Sequence, residues 1–212
     1  MNWVTELSKA TKQVHSQTQE DGIIEAIFQH IGTTNKVCVE FGGGDGFSLS
    51  NTRYLIEQGW KGHLWDKTPR GADVLAADIT AESVNEVFRQ FGVPEEFDFL
   101  SLDIDGNDYW VWKALKHRPR VVVIEINGAF DDHRVMLYNP SHSHDLTNYY
   151  GASLPAMRSL GVTKGYSLVY QAHSLNAFFI RSDIEPNQAI EVPFTVRHGH
   201  APDIKNRPWV KE

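Results

Sequence analysis

Val37-Cys-Val-Glu40-Phe-Gly42-Gly-Gly44-Asp-Gly46 is the stretch that decides the fold. Lys36 to Phe41 is a short, β-branched run and predicts a buried strand. The glycines that follow predict a tight turn whose backbone can approach a ligand so closely that no Cβ is tolerated. Beyond them the pattern predicts a helix over 49–58, with Tyr54, Leu55 and Ile56 on its buried side.

Outward from this unit the pattern repeats. Strands are predicted over 63–66, 74–77, 97–102 and 121–126, the last the clearest apolar run in the chain. Between them, 81–91 carries Val84, Val87, Phe88 and Phe91 at helical spacing, and 108–116 predicts a further helix. Upstream, Ile23, Ile24, Ile27, Phe28 and Ile31 share one helical face, and Gly32 marks its end. Alternating strands and helices imply an α/β fold, a Rossmann-like, doubly wound, mostly parallel sheet. A helix over 152–161 and strands over 166–171 and 176–181 then predict a C-terminal antiparallel strand pair. The expected organisation is one domain over 1–192, with an N-terminal helical cover at 1–32 and a long acceptor loop at 128–150. An extended tail follows at 193–212.

Composition narrows the classes. With 212 residues, 41% hydrophobic and 22% charged, the chain suits a single globular domain. Its formal charge of -7 lacks the basic field that nucleic-acid binding requires, and Arg197, Lys205, Arg207 and Lys211 read as a solvated face. Cys38, the one cysteine, excludes an intrachain disulfide and reads as a core residue. No signal segment or run of 18 apolar residues is found, so a cytoplasmic location without membrane attachment is expected.

The turn is GxGxG, and Phe47 stands where a pyrophosphate-binding GxGxxG needs its third glycine. A nicotinamide dehydrogenase is thereby disfavoured. With Glu40 at the strand end, Gly42, Gly44 and Gly46 suit a cationic, phosphate-free ligand such as a sulfonium nucleoside. Asp66 and Asp78 close the next two strands, where open α/β sheets bind ligands. Asp66 is placed to accept bonds from ribose hydroxyls, and Asp78 lies where an adenine amino group would sit. Lys67, beside Asp66, either pairs with a carboxylate of the bound ligand or faces solvent.

On these residues the chain resembles class I S-adenosylmethionine-dependent methyltransferases, more narrowly the FkbM-like group. The resemblance lies in VCVEFGGGDGFSLSNTRYLIEQGWKGHLWD (37–66), FDFLSLDIDGNDYWVWKAL (97–115) and RPRVVVIEIN (118–127). GASLPAMRSL (151–160) and KGYSLVYQAHSLNAFFIR (164–181) extend it over roughly residues 17–183. It implies S-adenosylmethionine as cofactor and a small hydroxylated acceptor, a sugar or natural-product-like molecule. It also implies that Gln17 lies at the cofactor mouth.

An alcohol acceptor must lose a proton, which calls for a base or an acidifying metal. Asp103 and Asp105 after the fourth strand, and Glu125 and Asn127 at the fifth, are two apart and expected to share a face. Asp103, Asp105 and Glu125 are therefore catalytic candidates, and Asp103 is also expected at the cofactor. Asp103, Glu125 and Asn127 form an oxygen-donor set suited to Mg²⁺ or Ca²⁺. Asp108 reads instead as a helix cap. Among the loop histidines His133, His142 and His144, His144 is the candidate base, and Tyr149 and Tyr150 are candidates for the acceptor wall. Alternative readings are a non-catalytic module that kept the cofactor fold, or a nucleic-acid methyltransferase. Against the latter, SLDIDG stands where an Asn/Asp-Pro-Pro-aromatic motif is required.

Overall fold

The computed structural model describes residues 3–185 and 199–211. The expected boundary at 192–193 and Arg197 lie outside the described residues. β1 (Val37–Phe41), β2 (Lys61–Asp66), β3 (Val74–Ala76), β4 (Phe99–Leu102) and β5 (Val121–Glu125) run parallel. β8 (Asn176–Arg181) pairs antiparallel with β5, and β7 (Tyr166–Ala172) pairs antiparallel with β8. The order is β3-β2-β1-β4-β5-β8-β7, the expected doubly wound sheet with its antiparallel pair. Strand order reverses between β1 and β4, and all five parallel strands end at the same edge.

Residues two apart on each strand sort the core into two layers. Val39 and Phe41, with Leu100, Leu102, Val122 and Ile124, meet α3 (Val84–Gln90), α4 (Asp108–Ala114) and α5 (Leu154–Thr163) through Phe88, Trp112 and Leu160. Cys38, Phe99, Val121 and Val123 face the other way, onto α1 (Glu20–Ile31) and a 3-10 helix at Trp3–Lys9. Each fully buried side chain of this kind contributes about 1.5–3 kcal/mol. Cys38 is fully buried, and burial pushes its thiol well above the ordinary range, as a core residue requires. No helix of the described residues is long and apolar enough to cross a membrane.

The structure departs from one expectation and adds to two. The helix predicted over 49–58 shrinks to α2 (Arg53–Glu57), because Leu49 has φ 62° and Glu40 binds the next three residues in a non-helical form. The loop 128–150 contains β6 (Val135–Met136). The tail is not merely extended, since its β9 (Trp209–Val210) pairs antiparallel with β6. Trp209 packs on Phe130 and Tyr149, and the Tyr149 hydroxyl donates to the Pro208 carbonyl at 2.8 Å.

At the opposite end of the sheet, Asp98 is fully buried and accepts bonds from the Thr34, Asn35 and Lys36 backbone N–H groups. Arg120 Nη1 lies 2.9 Å from Asp98 Oδ1 and also donates to the Gly32 carbonyl. Burial raises the Asp98 carboxyl, but Arg120 and these N–H donors outweigh it and hold the group below its usual value. Its stabilising effect is therefore complete above the ordinary carboxylate range and disappears as pH falls through the depressed value. Asp98→Ala should cost about 3–5 kcal/mol at neutral pH in chemical denaturation, because Arg120 is left buried without its partner. Asp98→Asn should flatten the acid limb of the stability–pH curve.

Candidate functional site

At the carboxyl edge of the sheet, where β1 and β4 diverge, a cleft of about 810 Å³ opens. Gly42 makes its floor possible. Residue 42 has φ 80°, and a Cβ there would lie 1.7 Å from the Asp103 carbonyl oxygen. The missing side chain lets the turn after β1 rest on the end of β4, with Asp103 N–H donating to the Phe41 carbonyl. Gly44 N–H donates to Asp66 Oδ2 at 2.9 Å, and Thr68 N–H donates to Oδ1 at 2.7 Å. Asp66 is thus held at the cleft wall by backbone on both sides.

Glu40 does not line this cleft. Its buried carboxylate accepts bonds from Ser50 Oγ (2.6 Å), Asn51 N–H (2.7 Å) and Thr52 Oγ1 (2.7 Å). Its place is behind the turn, fastening the segment that leads into α2. Asp78 and Gln17 do line the cleft. Lys67 pairs with Asp78 at 2.9 Å.

Asp103, Asp105 and Glu125 each place a carboxylate oxygen within 4.8 Å of the other two. Burial, then the charges of neighbouring acids, pushes Asp103 and Glu125 well above their usual values. Glu125 Oε2 is buried without a hydrogen-bond partner in the structure. Buried Asp108 accepts bonds from Ile104 and Gly106 N–H at 2.8 and 2.9 Å, so it shapes the loop that carries Asp105. Burial leaves Asp108 raised to about 6 despite those bonds. Like charges this close need a compensating cation or proton.

Asn127 is a correction. Its Nδ2 donates to the Asn148 and Tyr150 carbonyls at 2.9 and 2.8 Å, and its Oδ1 accepts from Ala129 N–H. It does not line the cleft, and backbone groups hold both its Nδ2 and its Oδ1. Alternation fails here because β5 ends at Glu125, so the face rule does not carry to residue 127. Asp105 also lies past the end of its strand, in a left-handed conformation (φ 57°), yet it still reaches the acid group.

His144 lines the cleft, with Nε2 3.0 Å from the Thr147 carbonyl and Nδ1 3.9 Å from Asp105 Oδ1. A carbonyl only accepts, so Nε2 carries the hydrogen and neutral His144 presents the Nδ1 lone pair beside Asp105. Its ring packs against Tyr150 and His200. His142 also lines the cleft, packed over Gly106, and burial lowers its pKa. His133 and Tyr149 are not among the lining residues. His200 was missed: it stands in a polar, proline-punctuated tail with no local pattern to mark it.

No family model matches the chain, and no curated protein does. Solved structures share slight likeness. An O-methyltransferase family protein from Burkholderia thailandensis has 13% identity and a TM-score of 0.42, covering 83% of this chain and 65% of its own. The CMeT domain of a citrinin polyketide synthase has 8% identity and a TM-score of 0.40, covering 76% and 51%. A SAM-dependent methyltransferase from Aquifex aeolicus has 12% identity and a TM-score of 0.36, covering 83% and 96%. The chain thus spans less than two thirds of the first two. Likeness this slight decides neither fold nor chemistry; both rest on this chain's own strand order and residues.

Two substitutions test this geometry. Because the Glu125 carboxyl is raised, ionising it weakens the folded state as pH climbs from the ordinary carboxylate range through the raised value. Glu125→Gln should therefore raise Tm at pH 8 in metal-free buffer by roughly 2–4 °C, about 1 kcal/mol in a chain this size, and change little at pH 4. Asn127→Ala should cost about 1–3 kcal/mol by leaving two carbonyls unpaired. Its affinity for Mn²⁺ should remain that of the parent.

Proposed function

We propose that the chain is an S-adenosylmethionine-dependent methyltransferase that methylates a hydroxyl of a small polar acceptor, such as a sugar or natural-product-like molecule. One observation carries the reading: a cleft at the switch point joins the GxGxG turn, backbone-held Asp66 and three carboxylates within 4.8 Å of one another. The FkbM-like resemblance of the motifs agrees with it.

The residues fit the cofactor. Gly42–Gly44 offer backbone against which it can lie, Asp66 suits the ribose hydroxyls, and Asp78 and Gln17 border the remainder of the cleft. The acids at the ends of β4 and β5 complement a sulfonium and an amino group of positive charge. When bound, the cofactor supplies an electrophilic methyl group for in-line displacement, so the chain's work is alignment and proton removal. His144, hydrogen-bonded through Nε2, holds its Nδ1 lone pair as a base for the hydroxyl proton. Asp105 Oδ1 lies 3.9 Å from that Nδ1. Asp103, Asp105 and Glu125 would hold Mg²⁺, whose role would be to acidify the acceptor hydroxyl. The net charge of -7 and the acidic cleft weigh against a nucleic-acid acceptor.

Calorimetric titration tests the reading. S-adenosylmethionine and S-adenosylhomocysteine should bind with Kd of about micromolar order, NAD should not, and Asp66→Ala should weaken binding roughly tenfold. No binding of either methionine-derived ligand would sink the proposal. Binding with no methyl transfer to any hydroxylated acceptor would instead support a non-catalytic module.

A further inference from the structure

Beside the main cleft lies a second, smaller chamber of about 230 Å³. Gln17, Tyr150, Leu175 and His200 line both cavities, so the chamber is a side annex of the cleft. Its far walls come from the turn after β5, at Gly128 and Ala129, and from the β7–β8 hairpin at Ser174. At roughly 30 Å³ per water, it has the room of about eight waters, the size of a monosaccharide or small polyol.

The C-terminal segment forms one wall of the annex, through Gly199 and His200. Asn148 N–H donates to the Ala201 carbonyl at 2.8 Å, and Asp203 N–H donates to Asn148 Oδ1 at 3.0 Å. Arg207 Nη2 bonds Thr147 and Asp203 and pairs with Asp145, so its guanidinium is engaged outside the annex. These contacts seat His200 with its ring 4.8 Å from His144 and 5.4 Å from Tyr150, nearly perpendicular to both. His200 thereby lies between the annex and the candidate base.

The lining of the annex has a definite chemistry. Among the described residues it contains the Gln17 and Asn148 amides, the Tyr150 phenol, the His200 imidazole and turn backbone, with no lysine, arginine or carboxylate. Such a set can bond hydroxyls, which both donate and accept. A phosphate or carboxylate entering it would lose water without gaining a cation. In the main cleft, Lys67 is paired with Asp78, and Arg70 sits by Gly44 at the turn. An anionic group would also meet Asp103, Asp105 and Glu125 at the junction.

We infer that this annex is the acceptor site, that it takes an uncharged polyhydroxylated molecule in preference to its phosphorylated form, and that His200 of the C-terminal segment is one of its binding residues. The inference rests on the methyltransferase reading for the word acceptor, but the annex and its selectivity can be measured separately.

Saturation-transfer NMR on the full chain, with and without S-adenosylhomocysteine, tests it. The probes are methyl glucoside, methyl rhamnoside and myo-inositol, each offered beside glucose 6-phosphate or inositol 1-phosphate. At least one neutral probe should receive saturation and the phosphates none. His200→Ala should weaken the neutral probe about tenfold, the loss of one hydrogen-bonding group, and Ala129→Phe should block it by filling the annex. Ala129→Phe should keep the parent affinity for S-adenosylhomocysteine, and both variants should keep the parent's far-UV circular dichroism, which shows that they are folded. Phosphates that bind as well as neutral probes, neutral probes that never bind, or variants that leave their binding unchanged would each overturn the inference. Failure of S-adenosylhomocysteine alone to bind, with polyol selectivity intact, would overturn the cofactor reading and leave the annex as a polyol site.

Discussion

The close approach of residue 42 to the end of β4 is the constraint around which the cleft is organised. A strand order that reverses between β1 and β4 leaves a gap at the carboxyl edge, and the depth of that gap depends on how near the first turn can lie to the fourth strand. Only a residue with no Cβ can occupy φ 80° against the Asp103 carbonyl. From that contact follow the position of Gly44 against Asp66 and the placement of Asp103 directly beside the turn. Glu40 secures the arrangement from behind by binding residues 50–52, so the turn is braced on both sides.

The same edge concentrates negative charge. Asp103, Asp105 and Glu125 crowd together, with Asp108 buried close by. No fold needs such a grouping for stability; desolvation and mutual repulsion both oppose its ionised form. The other end of the sheet contrasts with it, for there buried Asp98 has the Arg120 guanidinium and several N–H donors. One end of the sheet thus pairs its buried carboxylate with a guanidinium, and the other gathers three carboxylates within 4.8 Å of one another. Perturbed groups gathered in a cleft mark a candidate site.

Much of this was legible from residue order. The alternation of strands and helices, the glycine turn, and acids at successive strand ends all depend on local pattern, and they placed Asp66, Asp78, Asp103 and Glu125 on the cleft wall. Two kinds of reading went astray. Periodicity was carried past the end of β5 to Asn127, which turns away to hold the 148–150 backbone. Helical pattern was extended through Leu49 to Thr52, where the Glu40 carboxylate competes successfully for the backbone and hydroxyls.

What the sequence by itself determined was the doubly wound sheet and the chemistry at its edge, because strand periodicity, turn glycines and strand-end acids act through near neighbours. What only the tertiary structure decided was which groups share a site. His144 meets Asp105, the tail brings His200 to Tyr150, and Lys67 pairs with Asp78. Those pairings join segments far apart in the chain, through loop conformations and a short β6–β9 ladder. Their free energies depend on the packed neighbours of each group rather than on its sequence context, so no local pattern could announce them.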